Sequence, residues 1–308
     1  MNKNTLLRVA VLSVAAVLSS ALRSSAIPAS PEQFYFTDAS DGVIGQFNFS
    51  TLTESTVATD PSSIAAWGLA AKPGGGLYVQ DGYGPLMTLN GSTFTTNQNL
   101  GFSAWNVAVS PVNQDVYVSY LYSPTITQIT PGGTVTTDWA TNTSASAFSG
   151  LTFDSSGNLY AAEATTGDVI KFGSTGGTGS VFATGLSNPQ QLVFGTDGNL
   201  YVANEAAGDI IKINGTSGGT GSVYYSGTLT FAPQDLAVDA SGNLIVGNNN
   251  PMGSTNNITE IYALDSGGRV LISGLGTPEG IVVTPEPTTL ALAGMGLTGL
   301  LAMRRRQA

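Results

Sequence analysis

Residues 150–185 read GLTFDSSGNLYAAEATTGDVIKFGSTGGTGSVFATG, and most of this stretch returns at residues 191–227 as QLVFGTDGNLYVANEAAGDIIKINGTSGGTGSVYYSG. Asn158 of the first copy aligns with Asn199 of the second, so the repeat is about 40 residues long. Each copy holds four short apolar or alternating segments, separated by clusters of Gly, Asn and Asp. Such segments predict β-strands, and four strands in about 40–45 residues are typical of one β-propeller blade.

The same frame extends along most of the chain. The body opens on a second-strand pattern at residues 33–36 and closes on an isolated first-strand pattern at residues 280–283. We therefore predict an all-β, six-bladed propeller whose N- and C-terminal strands share one blade and hide the edges of an open array. The second strand of each middle blade is marked by a recurring dipeptide: Leu77-Tyr78, Val116-Tyr117, Leu159-Tyr160, Leu200-Tyr201 and the variant Leu244-Ile245.

Short turns and glycine-rich stretches separate these strands. The sequences Asp154–Gly157 and Asp239–Gly242 predict type I turns with glycine in the left-handed position, rather than calcium loops. The stretches at residues 173–179 and 214–221 are rich in Gly, Thr and Ser, and we predict flexible loops there between third and fourth strands.

The repeated core resembles the blades of the NHL-repeat and gluconolactonase-like (SGL) propeller superfamily. It reads GLTFDSSGNLYAAE at residues 150–163, and related cores occupy residues 192–205 and 236–249. The resemblance covers roughly residues 33–283 and implies the fold, so we assign residues 27–283 to the propeller. It implies no particular activity, because this fold hosts hydrolases, lyases and binding modules alike.

Composition excludes several kinds of chemistry. The chain of 308 residues has no cysteine and no histidine. Disulfides, thiolate chemistry, zinc sites of the Cys/His type and any mechanism with histidine as base are therefore excluded. The resemblance to this propeller superfamily also includes streptogramin-lyase-like enzymes, whose activity depends on histidine. Because the chain has none, we exclude that activity.

The charge of the chain is strongly negative. It has 10 basic and 20 acidic residues and a formal net charge of -10. Such a surface predicts no nucleic-acid partner and favours solubility outside the cell. Within the propeller the basic residues are few: Lys72, Lys171, Lys212 and Arg269.

The N-terminus has the features of a secretory signal peptide over residues 1–26. Lys3 and Arg8 form the positive region, an apolar run covers residues 9–22, and small residues at 24–26 precede the expected cleavage point. The alternative, an uncleaved membrane anchor, is disfavoured by the length of the run and by its flanks.

Residues 284–308 closely resemble a PEP-CTERM sorting signal. The tripeptide Pro285-Glu286-Pro287 precedes an apolar segment at 288–303, and Arg304, Arg305 and Arg306 follow it. As a transmembrane helix, residues 288–303 would measure roughly 24 Å at about 1.5 Å per residue, which is marginal against a hydrocarbon core of about 30 Å. The arginines should stay cytoplasmic, which places the propeller outside the membrane.

This resemblance implies a partner and a destination. An exosortase in the membrane would recognise the tail and remove it near the Pro-Glu-Pro motif, after a transient stay in the inner membrane. The protein would then reach the cell surface or the extracellular polysaccharide matrix. A permanent tail anchor without processing is the alternative.

The default binding surface of a propeller is the channel-mouth face, where first strands start and second strands end, because loops on a rigid scaffold carry function. Tryptophan rings stack on sugars, and amides or carboxylates bond their hydroxyls, so a polysaccharide is one candidate ligand and a surface protein another. Simple core packing of the two tryptophans is the alternative. The residues predicted on this face are Trp67, Trp105, Asn106, Gln190, Gln234, Asp235 and Glu279 from first strands, and Asp38, Asp81, Tyr120, Glu163 and Asn204 from second strands.

By the same resemblance, gluconolactonase-like enzymes hold a divalent metal at this mouth with Glu, Asn, Asn and Asp. Only Glu279 stands where such a ligand would, while Asn106 and Asp235 align one residue off. A hard cation needs several oxygen ligands. We therefore predict no catalytic residue, no metal and no cofactor, with calcium as the alternative.

The sequence thus predicts an exported, non-enzymatic propeller that acts as a binding or structural component of the cell surface or polysaccharide matrix. The two alternatives are a metal-dependent lactonase-type hydrolase or lyase and a protein-interaction platform.

Overall fold

The computed structural model describes residues 32–59, 66–82, 84–101, 103–249, 256–263 and 267–285. The predicted signal peptide at 1–26 and the predicted helix at 288–303 lie outside these ranges. Within them, no helix is long and apolar enough to span a membrane. The regular elements among the described residues are all strands, apart from one short 3-10 turn at Glu205–Ala207, which agrees with the all-β prediction.

The strands follow one another as antiparallel meanders. In chain order they are β1 (Glu32–Asp38), β2 (Val43–Asn48), β3 (Thr53–Thr59), β4 (Ala66–Ala71), β5 (Leu77–Asp81), β6 (Pro85–Asn90), β7 (Thr93–Asn99), β8 (Ala104–Val109), β9 (Val116–Tyr120), β10 (Ser123–Ile129), β11 (Val135–Thr141), β12 (Leu151–Phe153), β13 (Leu159–Glu163), β14 (Asp168–Gly173), β15 (Gly176–Ala183), β16 (Pro189–Phe194), β17 (Leu200–Asn204), β18 (Asp209–Asn214), β19 (Gly218–Ser226), β20 (Pro233–Val238), β21 (Leu244–Asn248), β22 (Asn256–Ile261), β23 (Gly268–Leu275) and β24 (Pro278–Pro285).

The strands group into units of four. The first unit has the order β24-β1-β2-β3, so the last strand of the described chain lies beside the first. Phe34 pairs with Val283, and Phe36 pairs with Ile281. The other units are β4–β7, β8–β11, β12–β15, β16–β19 and β20–β23, numbered second to sixth below.

We call the first strand of each four-stranded unit its inner strand and the last its outer strand. The six inner strands contact one another in the cyclic order β4, β8, β12, β16, β20, β24 and back to β4. Apolar clusters fill the spaces between neighbouring units. Tyr160 of the fourth unit packs with Leu192 of the fifth, and Phe36 of the first packs with Ile245 of the sixth. Because successive side chains of a strand point to opposite faces, each strand supplies two such clusters. Leu159, for example, packs toward the third unit while Tyr160 packs toward the fifth.

The glycine-rich stretches are mostly strand, so the prediction of flexible loops over their whole length is wrong; only residues 174–175 and 215–217 form the predicted connections between third and fourth strands. β15 starts at Gly176 and β19 at Gly218, and each also pairs in parallel with the outer strand of the preceding unit. A Cβ at Gly176 would overlap the carbonyl oxygen of Trp139, and a Cβ at Gly218 would overlap that of Phe182. Glycine is thus needed for the close approach of neighbouring outer strands rather than for flexibility.

The predicted turns are confirmed. The backbone N–H of Gly157 donates to the carbonyl of Asp154 at 3.0 Å, and Gly157 has a φ of 81°. The Asp154 carboxylate accepts from the backbone N–H of Ser156 and of Asn158, at 3.0 and 2.9 Å. The aspartate therefore stabilises the turn.

Candidate binding face at the channel mouth

Seven of the predicted mouth residues come together at the start of the inner strands. They line a narrow cavity with a volume of about 10 Å³, which is enough for about one water molecule. Its lining includes all seven predicted first-strand residues, namely Trp67, Trp105, Asn106, Gln190, Gln234, Asp235 and Glu279.

The two tryptophans cover one side of this mouth. The ring centroids of Trp67 and Trp105 lie 4.8 Å apart with an interplanar angle of 54°. A Cβ at Gly82 would overlap the Trp67 ring, so that ring rests directly on the backbone after β5. Both side chains are only partly exposed. The rings therefore pack on each other and on the protein, and each stays partly exposed to solvent.

Polar residues one position further along the inner strands link neighbouring strands. Asn106 on β8 accepts a 3.2 Å hydrogen bond through Oδ1 from the backbone N–H of Leu151 on β12. Asp235 on β20 accepts a 2.9 Å hydrogen bond through Oδ2 from the backbone N–H of Ile281 on β24. These side chains hold the inner strands together, which is a structural role independent of any ligand.

Glycine occupies the equivalent position on three other inner strands. A Cβ on Gly68 would lie 3.0 Å from the Val107 nitrogen, and one on Gly280 would lie 3.0 Å from the Leu69 nitrogen. A Cβ on Gly150 would overlap the carbonyl oxygen of Gln190. Inner strands therefore either approach each other closely at a glycine or are linked by a polar side chain.

Glu279 is the unusual titratable group of the mouth. It has no hydrogen-bond or ion-pair partner among the described residues, although it is largely covered by its neighbours. Burial, with a smaller contribution from the negative charge of Glu205, raises the pKa of Glu279 to about 8. Burial also raises the pKa of Asp235 well above its usual range, although backbone N–H groups of Leu236 and Ile281 oppose the shift. Glu279 thus holds a proton at neutral pH.

Glu205 organises the amides beside Glu279, and the sequence analysis missed it. Its Oε2 accepts from Gln190 Nε2 at 2.9 Å and from Asn188 Nδ2. Its Oε1 accepts from Gln234 Nε2 at 3.5 Å. The only signal in the sequence was its position directly after Asn204, where the 3-10 turn begins. Gln190 and Gln234 are therefore oriented by a carboxylate from outside the predicted set.

The predicted second-strand residues do not line the cavity; most of them hold loops. Asp38 accepts 2.8 Å hydrogen bonds from the backbone N–H groups of Gly276 and Thr277. Glu163 accepts from the backbone N–H of Ser146 at 3.1 Å and also from that of Thr166. Asn204 Oδ1 accepts from the backbone N–H of Ser187 at 2.5 Å. Each anchors the loop that leads into the first strand of its own unit.

Glu163 shows the electrostatic result of this anchoring. Burial raises its pKa, but hydrogen bonds from Thr166, Ser146 and Ala147 outweigh burial and hold the pKa below its usual range. The remaining two predicted second-strand residues are Tyr120 and Asp81. Tyr120 donates to Thr127 Oγ1 at 2.9 Å, and burial raises its pKa. Asp81 ends β5 and is 1% exposed.

The donor set at the mouth does not fit a catalytic metal. Across the described ranges, no three Asp, Glu, His or Cys side chains are grouped so that they could hold an ion. Asp235 already accepts hydrogen bonds from Leu236 and Ile281 through its two oxygens, at 2.6 and 2.9 Å. Glu279 would have to lose its proton next to Glu205 before it could bind a cation.

Solved structures with the same fold belong to varied proteins. The crystal structure of a nidogen/laminin complex matches with a TM-score of 0.67 and 15% identity, over 82% of this chain and 98% of that chain. A protein of unknown function from Bacteroides caccae matches with a TM-score of 0.61 and 16% identity, over 83% and 100%. Virginiamycin B lyase from Staphylococcus aureus matches with a TM-score of 0.56 and 15% identity, over 80% and 85%. No curated protein matches.

These identities are low, so the matches establish the β-propeller fold and no activity. The C-terminus is more specific. Residues 283–306 match the PEP-CTERM protein-sorting motif, which includes the Pro285-Glu286-Pro287 tripeptide and the Arg304–Arg306 cluster. The chain is therefore a β-propeller protein with a PEP-CTERM motif, which indicates export and exosortase-mediated sorting.

Proposed function

We propose that this protein is a non-enzymatic binding or structural component of the cell surface or the extracellular polysaccharide matrix, released from the membrane by an exosortase. The observation that carries the proposal is the sorting motif directly at the end of the propeller. Pro285 is the last residue of β24 and the first residue of the Pro-Glu-Pro tripeptide. Cleavage at or just after the tripeptide would leave every strand of the propeller in place.

The proposal includes a closed ring of six blades. Its support is the cyclic contact of the six inner strands and the pairing of β24 with β1. In such a ring the first blade takes three strands from the N-terminal end and one from the C-terminal end. In such a ring β24 covers the edge of β1 that would otherwise be free to pair with another chain, which suits a protein that works outside the cell.

A non-enzymatic role is supported by the chemistry that the chain lacks. One structure of similar fold is a virginiamycin B lyase made catalytically inactive by a histidine-to-alanine substitution. This chain contains no histidine at all. At the mouth, the side chains of Asn106 and Asp235 serve backbone groups, and Glu205 orients Gln190 and Gln234.

Retention of the exported protein by the extracellular polysaccharide of its own cells tests this proposal. We expect co-sedimentation with that polysaccharide, and at least about fivefold weaker retention after Trp67→Ala and Trp105→Ala together. Val112→Ala is the control, because Val112 is 65% exposed and follows β8 at the end remote from the mouth. Equal retention of all three proteins would argue against the mouth, and absence of retention would argue against the matrix role.

The lactonase-type alternative rests on Glu279, a carboxyl group without a partner in the mouth. Calorimetric titration of the exported protein with calcium separates the two functions. We expect no binding in the micromolar range for the wild type. Micromolar binding that Glu279→Gln abolishes would favour a metal-dependent hydrolase or lyase instead.

A further inference from the structure

A second cavity lies between the second and third units, away from the mouth. Its volume is about 450 Å³, which falls within the range of about 300–1,000 Å³ typical of small-molecule sites. Lys72, which lies on its wall, follows the end of β4, whereas Trp67 of the mouth lies near the start of that strand. We call this cavity the lateral groove. Its floor is apolar and consists of Leu86, Val116 and Ile129.

The corresponding space in two later units is filled by the protein itself. In the fourth unit, Tyr160 pairs across the strands with Lys171, and the ring of Phe182 packs against Tyr160 at 4.9 Å. In the fifth unit, Tyr201 pairs with Lys212, and the ring of Tyr224 packs against Tyr201 at 4.9 Å. Phe182 and Tyr224 are the extra residues at bulges of the outer strands β15 and β19.

The second unit carries smaller and more polar residues at the same positions. Tyr78 pairs with Thr88 instead of a lysine. The extra residue at the bulge of β7 is Asn97 instead of an aromatic. The lateral groove is therefore a feature of this unit, created by Thr88 and Asn97, and not a gap common to the repeats.

The polar groups on the walls suit a ligand with many hydroxyl groups. Asn97 donates through Nδ2 to Thr88 Oγ1 at 2.7 Å, so its Oδ1 remains available as an acceptor. Gln98 donates through Nε2 to the Gly133 carbonyl at 3.2 Å, so its Oε1 is available as well. Amide and hydroxyl groups of this kind hydrogen-bond sugar hydroxyls.

Lys72 adds a positive charge to this groove. The other three basic residues described in the propeller are paired: Lys171 with Asp154 at 4.0 Å, Lys212 with Asp197 at 2.7 Å and Arg269 with Glu260 at 2.7 Å. Lys72 has no ion-pair partner in the part of the chain that the structure describes. The described residues on the groove wall include no Asp or Glu. In a chain with a net charge of -10, this local excess of positive charge favours an anionic ligand.

We propose that the lateral groove binds a small polyhydroxylated carboxylic acid, such as a hexuronate unit. Lys72 faces its carboxylate, and Thr88, Asn97 and Gln98 bond its hydroxyl groups. The site is separate from the channel mouth, so it goes beyond the proposed function and does not depend on it.

Titration of the isotope-labelled exported protein with D-glucuronate, followed by amide chemical shifts, tests the site. We expect saturable shifts at Gln98, Gly132 and Gly133, and at least about fivefold weaker binding of D-glucose, which lacks the carboxylate. Asn97→Phe should abolish binding of both sugars, because it supplies the aromatic ring that Phe182 supplies in the fourth unit.

Lys72→Gln should weaken glucuronate binding about threefold to tenfold and leave glucose binding unchanged. Lys171→Gln is the matched control, since it removes the same charge elsewhere and should bind as the wild type does. This pair of variants decides the matter even if Asn97→Phe fails to fold. The proposal is overturned if no saturable shifts occur, if glucose binds as tightly as glucuronate, or if Lys72→Gln and Lys171→Gln behave alike.

Discussion

The carboxylate of Asp38 accepts a 2.8 Å hydrogen bond from the backbone N–H of Thr277, although 239 residues separate the two along the chain. The neighbouring N–H of Gly276 donates to the same carboxylate, also at 2.8 Å. Asp38 ends β1, and Thr277 immediately precedes β24. One side chain therefore holds the loop that delivers the last strand to the first.

Replacing Asp38 with Ala tests how much these two hydrogen bonds contribute to stability. Two backbone N–H groups would lose a charged acceptor, so we expect the free energy of unfolding to fall by about 1–3 kcal/mol. The corresponding decrease in melting temperature is about 2–4 °C per kcal/mol for a domain of this size. Asp41→Ala is the control, because Asp41 is exposed. Equal melting temperatures for the two variants would show that the carboxylate is dispensable.

Removing β24 should be far more damaging than removing the tail. A protein of residues 27–279 lacks Ile281, which is 5% exposed, and leaves β1 paired only with β2. We expect it to lose more than about 4 kcal/mol of stability, or to fail to fold cooperatively. A protein of residues 27–287 keeps β24 and should melt as the untruncated body does. If both melt at the same temperature, closure through β24 is wrong.

Most of the fold could be predicted from the repeat. The dipeptides at Leu77-Tyr78 and Leu200-Tyr201 fall at the start of β5 and β17, and the predicted second-strand ends at Asp38 and Glu163 coincide with those of β1 and β13. The prediction succeeded because clusters of Gly, Asn and Asp bound each short strand, and the repeat spacing then places the equivalent strands of the other units. The glycine-rich stretches were predicted wrongly as flexible loops, because the need for glycine at Gly176 comes from a neighbouring unit. That need leaves no pattern in the local sequence.

A comparison of Gly176 with Gly177 distinguishes two reasons why a position needs glycine: a positive φ and the close approach of a neighbouring strand. Both have a positive φ, of 77° and 85°, so alanine strains the backbone at either position. Only at Gly176 would the new Cβ also overlap the Trp139 carbonyl, whereas nothing lies within 4 Å of it at Gly177. We expect Gly177→Ala to lower the free energy of unfolding by about 1 kcal/mol, and Gly176→Ala by at least about 2 kcal/mol.

Chemical denaturation of both variants measures this difference. A loss of the same size at the two positions would mean that β15 can move away from β11 without cost, and the close approach of the outer strands would then contribute nothing.

Glu279 should make stability fall as pH rises. Its pKa is about 8 in the folded protein against a usual value of 4.5, so the folded state holds a proton that the unfolded state has released between these values. The contribution is fully present below about pH 4.5 and is lost as pH rises to 8. Glu279→Gln keeps the neutral form, and we expect it to be more stable than the wild type by about 1–3 kcal/mol at pH 7.

Unfolding free energies at pH 4, 7 and 9 check this sign. The two proteins should be nearly equal at the lowest pH and should diverge above it, because only the wild type has a carboxyl group to ionise beside Glu205. A wild type that gains stability relative to the variant as pH rises would contradict a protonated Glu279.

The mouth and the lateral groove differ in how far sequence could locate them. Trp67, Trp105 and Glu279 were found because strand register places equivalent positions of each blade on one ring. Glu205 was missed because its role depends on a turn outside that register. The lateral groove could not be predicted from the sequence. It exists because Thr88 and Asn97 are smaller than Lys171 and Phe182, which occupy the equivalent positions of the fourth unit. These positions become equivalent only when the bulge in the outer strand, which shifts the register by one residue, is known.

The central claim is that this propeller is sorted and then released by cleavage at its tail, and intact-mass analysis of the surface protein tests it most directly. Because β24 ends at Pro285 and its Thr284 still pairs with Gln33, cleavage near 285–287 leaves the sheet complete. We predict a mature protein that ends there and lacks residues 288–308. A variant with Pro285, Glu286 and Pro287 all changed to Ala should keep the tail. A mass that retains the segment at 288–303 and the Arg304–Arg306 cluster, or normal release of that variant, would contradict the account.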